Sequence, residues 1–257
     1  MNSQIQKIPF VATAPAPSVA ELLEKKSFCD GVGTLNYRIY TPQNMSADKK
    51  YPLILFFHGA GERGDDNERQ LINGIGQFFA DPLSPVYDCI VIAPQCPADD
   101  YWVSVPAWQL PKYSTDAIPE SKPLCLVRKL IEESKSNLPI DADRIYATGL
   151  SMGAYATWDL LIRHSDLFAA AIPVCGGGDY DHADRITDVP IQTFHGDCDP
   201  IVLPSNTEQL VNTLLALGSK KIACTYYIGG NHNVWETAFA TKGLFDWLLS
   251  HRRSDRP

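Results

Sequence analysis

A chain of 257 residues, 45% hydrophobic and 20% charged, is long enough to bury a sizeable core and too apolar to be a disordered, collagenous or small disulfide-stapled protein. Its formal net charge of −8, from 22 Lys+Arg against 30 Asp+Glu, argues against nucleic acid or an anionic bilayer as a partner, because a binding face would have to overcome the repulsion of the remaining surface. No apolar run approaches the roughly 20 residues of a membrane-crossing helix. The seven cysteines contain no C-x-x-C pair, so free thiols and a cytoplasmic location are expected, with secretion open if a leader has been removed.

In chain order, residues 1–30 read as an N-terminal arm or linker, with Pro9, Pro15 and Pro17 among small residues, and residues 31–257 as a single domain. Residues 35–40 alternate like a strand. Residues 52–57 are a continuous apolar run, the mark of a strand buried on both faces of a parallel sheet, and residues 89–93 repeat it. Beyond residue 119, helical stretches are expected at 122–136, 152–164, 205–217 and 234–250, and strands at 144–148, 169–174, 191–195 and 222–228. Such alternation needs right-handed crossovers, which predicts an α/β fold with a mostly parallel central sheet and helices on both faces. Between residues 95 and 119 the alternation stops, and Tyr101, Trp102, Trp108 and Tyr113 crowd a proline-rich loop. That loop follows a strand at the sheet edge where open α/β sheets bind ligands.

Gly149-Leu150-Ser151-Met152-Gly153 stands between an expected strand and an expected helix, the pattern of a nucleophile elbow. There a serine is held in a strained turn with its hydroxyl above the sheet, and the flanking glycines let backbone pass close by. A serine hydroxyl needs a base and an acid that orients the base. In the order nucleophile, acid, base, the histidine left after elimination is His232, in the loop Gly229-Gly230-Asn231-His232. The segment His195-Gly196-Asp197-Cys198-Asp199 offers two acids. Asp199 is preferred, because Asp197 is nearer the turn and placed to bond local backbone N–H groups. His195, Asp197 and Asp199 could also be imagined as metal ligands, but no further ligand cluster supports this.

The oxyanion formed on a carbonyl needs prearranged donors, each worth roughly 3–4 kcal/mol. The backbone N–H of Met152 is one candidate, and that of Ala60, in His58-Gly59-Ala60-Gly61, is the other. His58 is expected to be a structural hydrogen bonder, and Glu62, Arg63, Asp65 and Asp66 to stiffen the loop. Trp102, Trp108 and Trp235 are candidate substrate contacts, whereas Trp158 reads as core.

The blocks FFHGAGERGDDN (56–67), IAPQCP (92–97), GLSMGAYATW (149–158), FHGDCDPIV (194–202) and GGNHNVW (229–235) resemble the serine α/β-hydrolases of the carboxylesterase and phospholipase type. They are similar to acyl-protein thioesterases and to bacterial esterases of the feruloyl-esterase and "predicted peptidase" kind. The resemblance implies an α/β-hydrolase fold, Ser151, Asp199 and His232 as catalytic triad, Ala60 and Met152 as oxyanion hole, and no cofactor or metal. The 95–119 loop is longer and more aromatic than in the thioesterases, and a large lipase-type lid is missing. The expected function is therefore hydrolysis of short-acyl or aromatic carboxylic esters through an acyl-enzyme on Ser151. The alternatives are a feruloyl or acetyl esterase acting on plant polysaccharide, a thioesterase or peptidase with the same triad, or a hydrolase-like binding protein without turnover.

Overall fold

The computed structural model describes residues 4–105, 107, 109 and 113–256. Among these residues nine strands, β1 (Ile5–Pro9), β2 (Glu24–Cys29), β3 (Thr34–Tyr40), β4 (Tyr51–Phe57), β5 (Ile90–Pro94), β6 (Ile140–Leu150), β7 (Ala170–Val174), β8 (Ile191–Gly196) and β9 (Ile222–Ile228), form one sheet in the order β1-β9-β8-β7-β6-β4-β5-β3-β2. Every pairing from β1 across to β5 is parallel, and only β3 runs antiparallel to its neighbours β5 and β2. The mostly parallel sheet expected from the strand and helix alternation is thus what the chain builds.

Strand β4 shows why the apolar run reads as it does. Leu53, Leu55 and Phe57 pack into a core shared with Leu124 and Val127 of α1 (Lys122–Asn137), Trp158 and Leu161 of α2 (Met152–Arg163) and Leu210 of α3 (Ser205–Ala216). Ile54 and Phe56 point the other way, onto Phe78, Phe239 of α4 (Trp235–Phe239) and Phe245 of α5 (Leu244–Leu249). With both faces covered, no position along the strand is left for a polar residue. The helix expected over 234–250 is two helices, because Gly243 sits at φ 76°, a left-handed conformation that interrupts helical hydrogen bonding.

The N-terminal arm expected over residues 1–30 is corrected. β1 pairs with β9, from Ile5↔Cys224 to Pro9↔Ile228, and β2 forms a hairpin with β3, from Glu24↔Ile39 to Cys29↔Thr34. The segment between them is pinned by the buried Arg38, whose Nη1 donates to the carbonyls of Ala20 and Leu23 at 2.9 and 2.6 Å. Both strands lie at sheet edges, where backbone hydrogen bonds hold them and side chains face water. In β2 only Phe28 is buried, so it carries little of the apolar pattern by which a strand is recognised, and its charges discourage pairing with another chain.

Candidate active site

The carboxyl ends of β4, β6, β8 and β9 converge on one region. Strand β6 runs directly into Ser151, the residue before α2, at φ 54° and ψ −121°, a backbone conformation uncommon for any residue with a side chain. The Ser151 N–H donates to the carbonyl of Val174 at 2.8 Å, which ties the turn to β7. A Cβ at Gly149 would lie 2.3 Å from the Gly153 carbonyl oxygen, and one at Gly153 would lie 2.0 Å from that of Phe57. The spacing of the two glycines around the serine is therefore a packing requirement of the elbow.

The loops after β8 and β9 meet backbone to backbone, since a Cβ at Gly196 would fall 2.2 Å from the Asn231 oxygen. This approach brings His232 over Ser151, with Nε2 2.8 Å from the serine Oγ. His232 Nδ1 lies 2.6 Å from Oδ2 of Asp199. The carboxylate accepts a hydrogen bond from Nδ1–H, which leaves Nε2 with a lone pair toward the hydroxyl. The Asp199 side chain is fully buried, and Oδ1 accepts from the Ile201 and Val202 N–H groups at 2.8 and 3.0 Å. Burial by itself would raise its carboxyl, but hydrogen bonds from His195, His232 and the Ile201 N–H outweigh that and hold it well below the usual carboxylate range. Asp197 turns away instead, accepting the Gly229 N–H at 2.7 Å in an exposed setting.

Met152 is the first residue of α2 and Ala60 the first of a 3₁₀ turn, Ala60–Glu62, so neither N–H has an acceptor within its own helix. The loop that carries Ala60 lies against the elbow, because a Cβ on Gly59 would be 3.5 Å from that of Ser151. Polar side chains brace this loop. Glu62 accepts from Asn73 Nδ2 at 2.7 Å, and its carboxyl is pushed up by burial against the opposing pull of the Asn73 and Gly59 hydrogen bonds. Arg63 Nε donates to the Ala60 carbonyl at 3.0 Å and Nη1 to that of Asp100 at 3.1 Å, while its guanidinium lies 4.1 Å from the Tyr101 ring centre.

His58 is buried beneath the loop. Its Nε2 accepts the Cys96 N–H at 2.9 Å, so Nδ1 carries the proton given to the Gly59 carbonyl at 2.6 Å. Burial pushes its pKa down to about 4, whereas the unfolded chain takes up a proton near 6.5. The stability gained from this neutral histidine is complete above pH 6.5 and is lost as pH falls through about 4, by about 3 kcal/mol. Urea unfolding at pH 6.5 and 4.5 is expected to show a smaller acid loss in His58→Gln than in the natural chain.

Two of the three candidate tryptophans are described. Trp102 is corrected from substrate contact to support. It is completely buried, its Nε1–H donates to the His58 carbonyl at 3.2 Å, and its ring packs on Phe57 and His58. Trp235 is half-buried and stands edge-on to His232, ring centres 5.5 Å apart. Trp108 lies outside the described residues. Trp158 is core, as its place on α2 suggests.

Sequence reasoning missed two participants. Glu236, four residues past His232 on α4, accepts the Gly74 N–H and Gln77 Nε2 at 2.7 and 2.9 Å. Its spacing from His232 was the available signal. His195, passed over because of its place in the chain order, lies directly behind Asp199 with Nε2 3.1 Å from Oδ2. Cys175 joins these two, with ligand-type atoms of all three within 4.8 Å, but the imidazole and carboxylate are already hydrogen-bonded to each other.

A sequence model described as phospholipase/carboxylesterase matches residues 44–242. Poly(3-hydroxyalkanoate) depolymerase C of Paucimonas lemoignei is 25% identical over 169 residues, 66% of this chain and 38% of that protein. The crystal structure of a thermostable esterase superposes with a TM-score of 0.82 at 35% identity, over 91% of this chain and 64% of that one. The chain thus spans less than two thirds of the length of either. The feruloyl esterase module from Clostridium thermocellum, in complex with sinapinate, shares the fold at TM-score 0.64 and 13% identity, over 91% of this chain and 93% of that one. Among the described residues no helix is long and apolar enough to cross a membrane.

Proposed function

The chain belongs to the phospholipase/carboxylesterase family of α/β-hydrolases, and from that premise we propose that it is a serine carboxylesterase acting on short-acyl or aromatic esters. The observation that carries the proposal is the hydrogen-bonded line from Ser151 Oγ through His232 to Asp199, with links of 2.8 and 2.6 Å. His232 Nε2 takes the hydroxyl proton as Oγ bonds to the ester carbonyl carbon, and the N–H groups of Ala60 and Met152 hold the oxyanion. As the intermediate collapses, the bond to the alcohol oxygen breaks and His232 Nε2–H protonates the leaving group. Water then repeats the sequence on the acyl-enzyme, releasing the acid and restoring Ser151. These side chains and amides supply every proton transfer and charge-stabilising contact of the cycle. Neutral esters also need no cationic clamp, which suits a chain of net charge −8.

Trp235 beside the base favours small or flat acyl groups at the wall of the site. The name of the P. lemoignei relative denotes action on a polymer of ester-linked hydroxy acids, which adds a 3-hydroxybutyrate oligomer to the substrates worth testing. The decisive experiment is steady-state hydrolysis of p-nitrophenyl esters of two to twelve carbons, methyl ferulate, that oligomer, an acyl thioester and a peptide amide. The expected result is turnover of short or aromatic esters, with kcat/KM falling at least about tenfold toward the longest chain. Turnover of the thioester or the peptide with no ester hydrolysed would overturn the assignment.

A further inference from the structure

We infer that His195 is held in the fold as an imidazolium whose buried charge balances Asp199 and so keeps His232 neutral in the resting protein, a positioning role that rests on the proposed triad. The inference follows from counting protons along the chain of contacts behind Asp199. His195 Nε2 lies 2.9 Å from the carbonyl of Val202 and 3.1 Å from Asp199 Oδ2. Both oxygens only accept, so Nε2 bears a proton. On the other side of the ring, Nδ1 lies 2.7 Å from Thr207 Oγ1, which is itself 2.7 Å from the carbonyl of Gly176. A threonine hydroxyl has one proton. Given to Nδ1, it would leave Oγ1 and the Gly176 oxygen facing each other at 2.7 Å as two acceptors. Given to Gly176, it satisfies that carbonyl and leaves Oγ1 to accept from Nδ1–H. Only the second arrangement pairs every group, and in it both ring nitrogens carry hydrogen.

A charge there also suits the burial of the pair. Asp199 and His195 both have fully buried side chains, and an unpaired carboxylate there would be costly. Among the described residues the ion pairs of Asp199 are to His195 and His232 alone. Two carboxylates stand nearby, Glu208 of α3 acting on Tyr226 and the buried Glu62 acting on His232, and the remaining titratable groups around the pair are neutral. Burial raises the Cys175 thiol at the end of β7, the Tyr226 phenol opposite His195 on β9 and the Tyr155 phenol of α2. From α3 it is the Thr207 hydroxyl that meets the ring, and Glu208 beside it is exposed. Without the His195 charge, Asp199 would have His232 as its one cationic partner and would draw a proton onto it, and a protonated His232 cannot accept from Ser151. His195 thus allows a buried carboxylate to orient the base without also protonating it.

The test is ¹⁵N NMR of the full chain labelled in histidine, without substrate, with His195 assigned by the signals lost in His195→Gln. The expected spectrum shows both His195 nitrogens protonated from pH 5.5 to 8.5, and a His232 titration that moves up by about one pH unit in His195→Gln. A neutral His195 tautomer at pH 6, or an unmoved His232, would overturn the inference. If His195→Gln fails to fold, Thr207→Val removes the Nδ1 acceptor and should shift His232 in the same direction, while Thr207→Ser should retain the doubly protonated signature. An unmoved His232 in a folded Thr207→Val would count equally against it. Where ester turnover is measurable, the acid limb of kcat/KM should rise with it, costing about tenfold on the limb. A purely structural role would lower activity by the same factor at every pH and would overturn the inference. The NMR result needs no turnover, so failure of the esterase assignment and failure of this inference are separable.

Discussion

Ser151→Ala is expected to lower kcat on p-nitrophenyl acetate by about five to six orders of magnitude, leaving only the residual acceleration that binding and oxyanion donors provide. The size of the effect follows from the proposed division of labour. His232 and Asp199 move and steer a proton, and neither supplies a nucleophile once Oγ is gone. The substitution should leave the fold intact, because alanine keeps a Cβ at the same φ of 54°, so the backbone strain is unchanged. The Oγ contact at stake is the one to His232, whose ring is partly open to water that can replace it. A thermal midpoint within about 3 °C of the natural chain, together with loss of labelling by a fluorophosphonate probe, completes the expectation. Turnover unchanged in Ser151→Ala would remove Ser151 from the mechanism, whereas failure of the probe to label the natural chain would return it to the reading of a hydrolase-like binding protein.

How much of this was legible in the sequence depended on which force held each part. β4 was visible because sandwiching by two helical layers leaves no place for polar residues, and the elbow was visible because Gly149 and Gly153 each sit where a Cβ would strike backbone. Strands β1 and β2 were invisible for the opposite reason. Backbone bonds at a sheet edge place almost no demand on side-chain type. Trp102 shows a different limit: composition tells that an aromatic loop packs against something, but not whether an indole faces solvent, substrate or core. His195 shows a third. The motif order singles out one histidine as the base and says nothing of another, four residues after the start of β8, whose importance lies in three contacts made after the chain has folded.

Asp199→Asn is expected to lower kcat about 10⁴-fold, and Asp197→Asn by less than about threefold. Geometry makes the first loss unavoidable. All four partners of the Asp199 carboxylate are donors: the N–H groups of Ile201 and Val202 on Oδ1, and His195 Nε2 and His232 Nδ1 on Oδ2. An amide has one accepting oxygen and one donating NH₂, so in either orientation the NH₂ meets two donors. If the oxygen stays with the backbone amides, the NH₂ faces His232, which must then carry its proton on Nε2, where it blocks transfer from Ser151. If the amide flips, Ile201 and Val202 lose their acceptor and the loop after β8 shifts away from the site, with a measurable fall in thermal midpoint. Asp197 asks for much less. Its carboxylate accepts the Gly229 N–H, a bond that an amide oxygen makes equally well in an exposed loop. Measuring kcat and thermal midpoint for both variants on the same ester separates the two aspartates. The reverse order of losses would give the acid role to Asp197, and equal losses would mean that the loop as a whole, rather than the Asp199 carboxylate, orients His232.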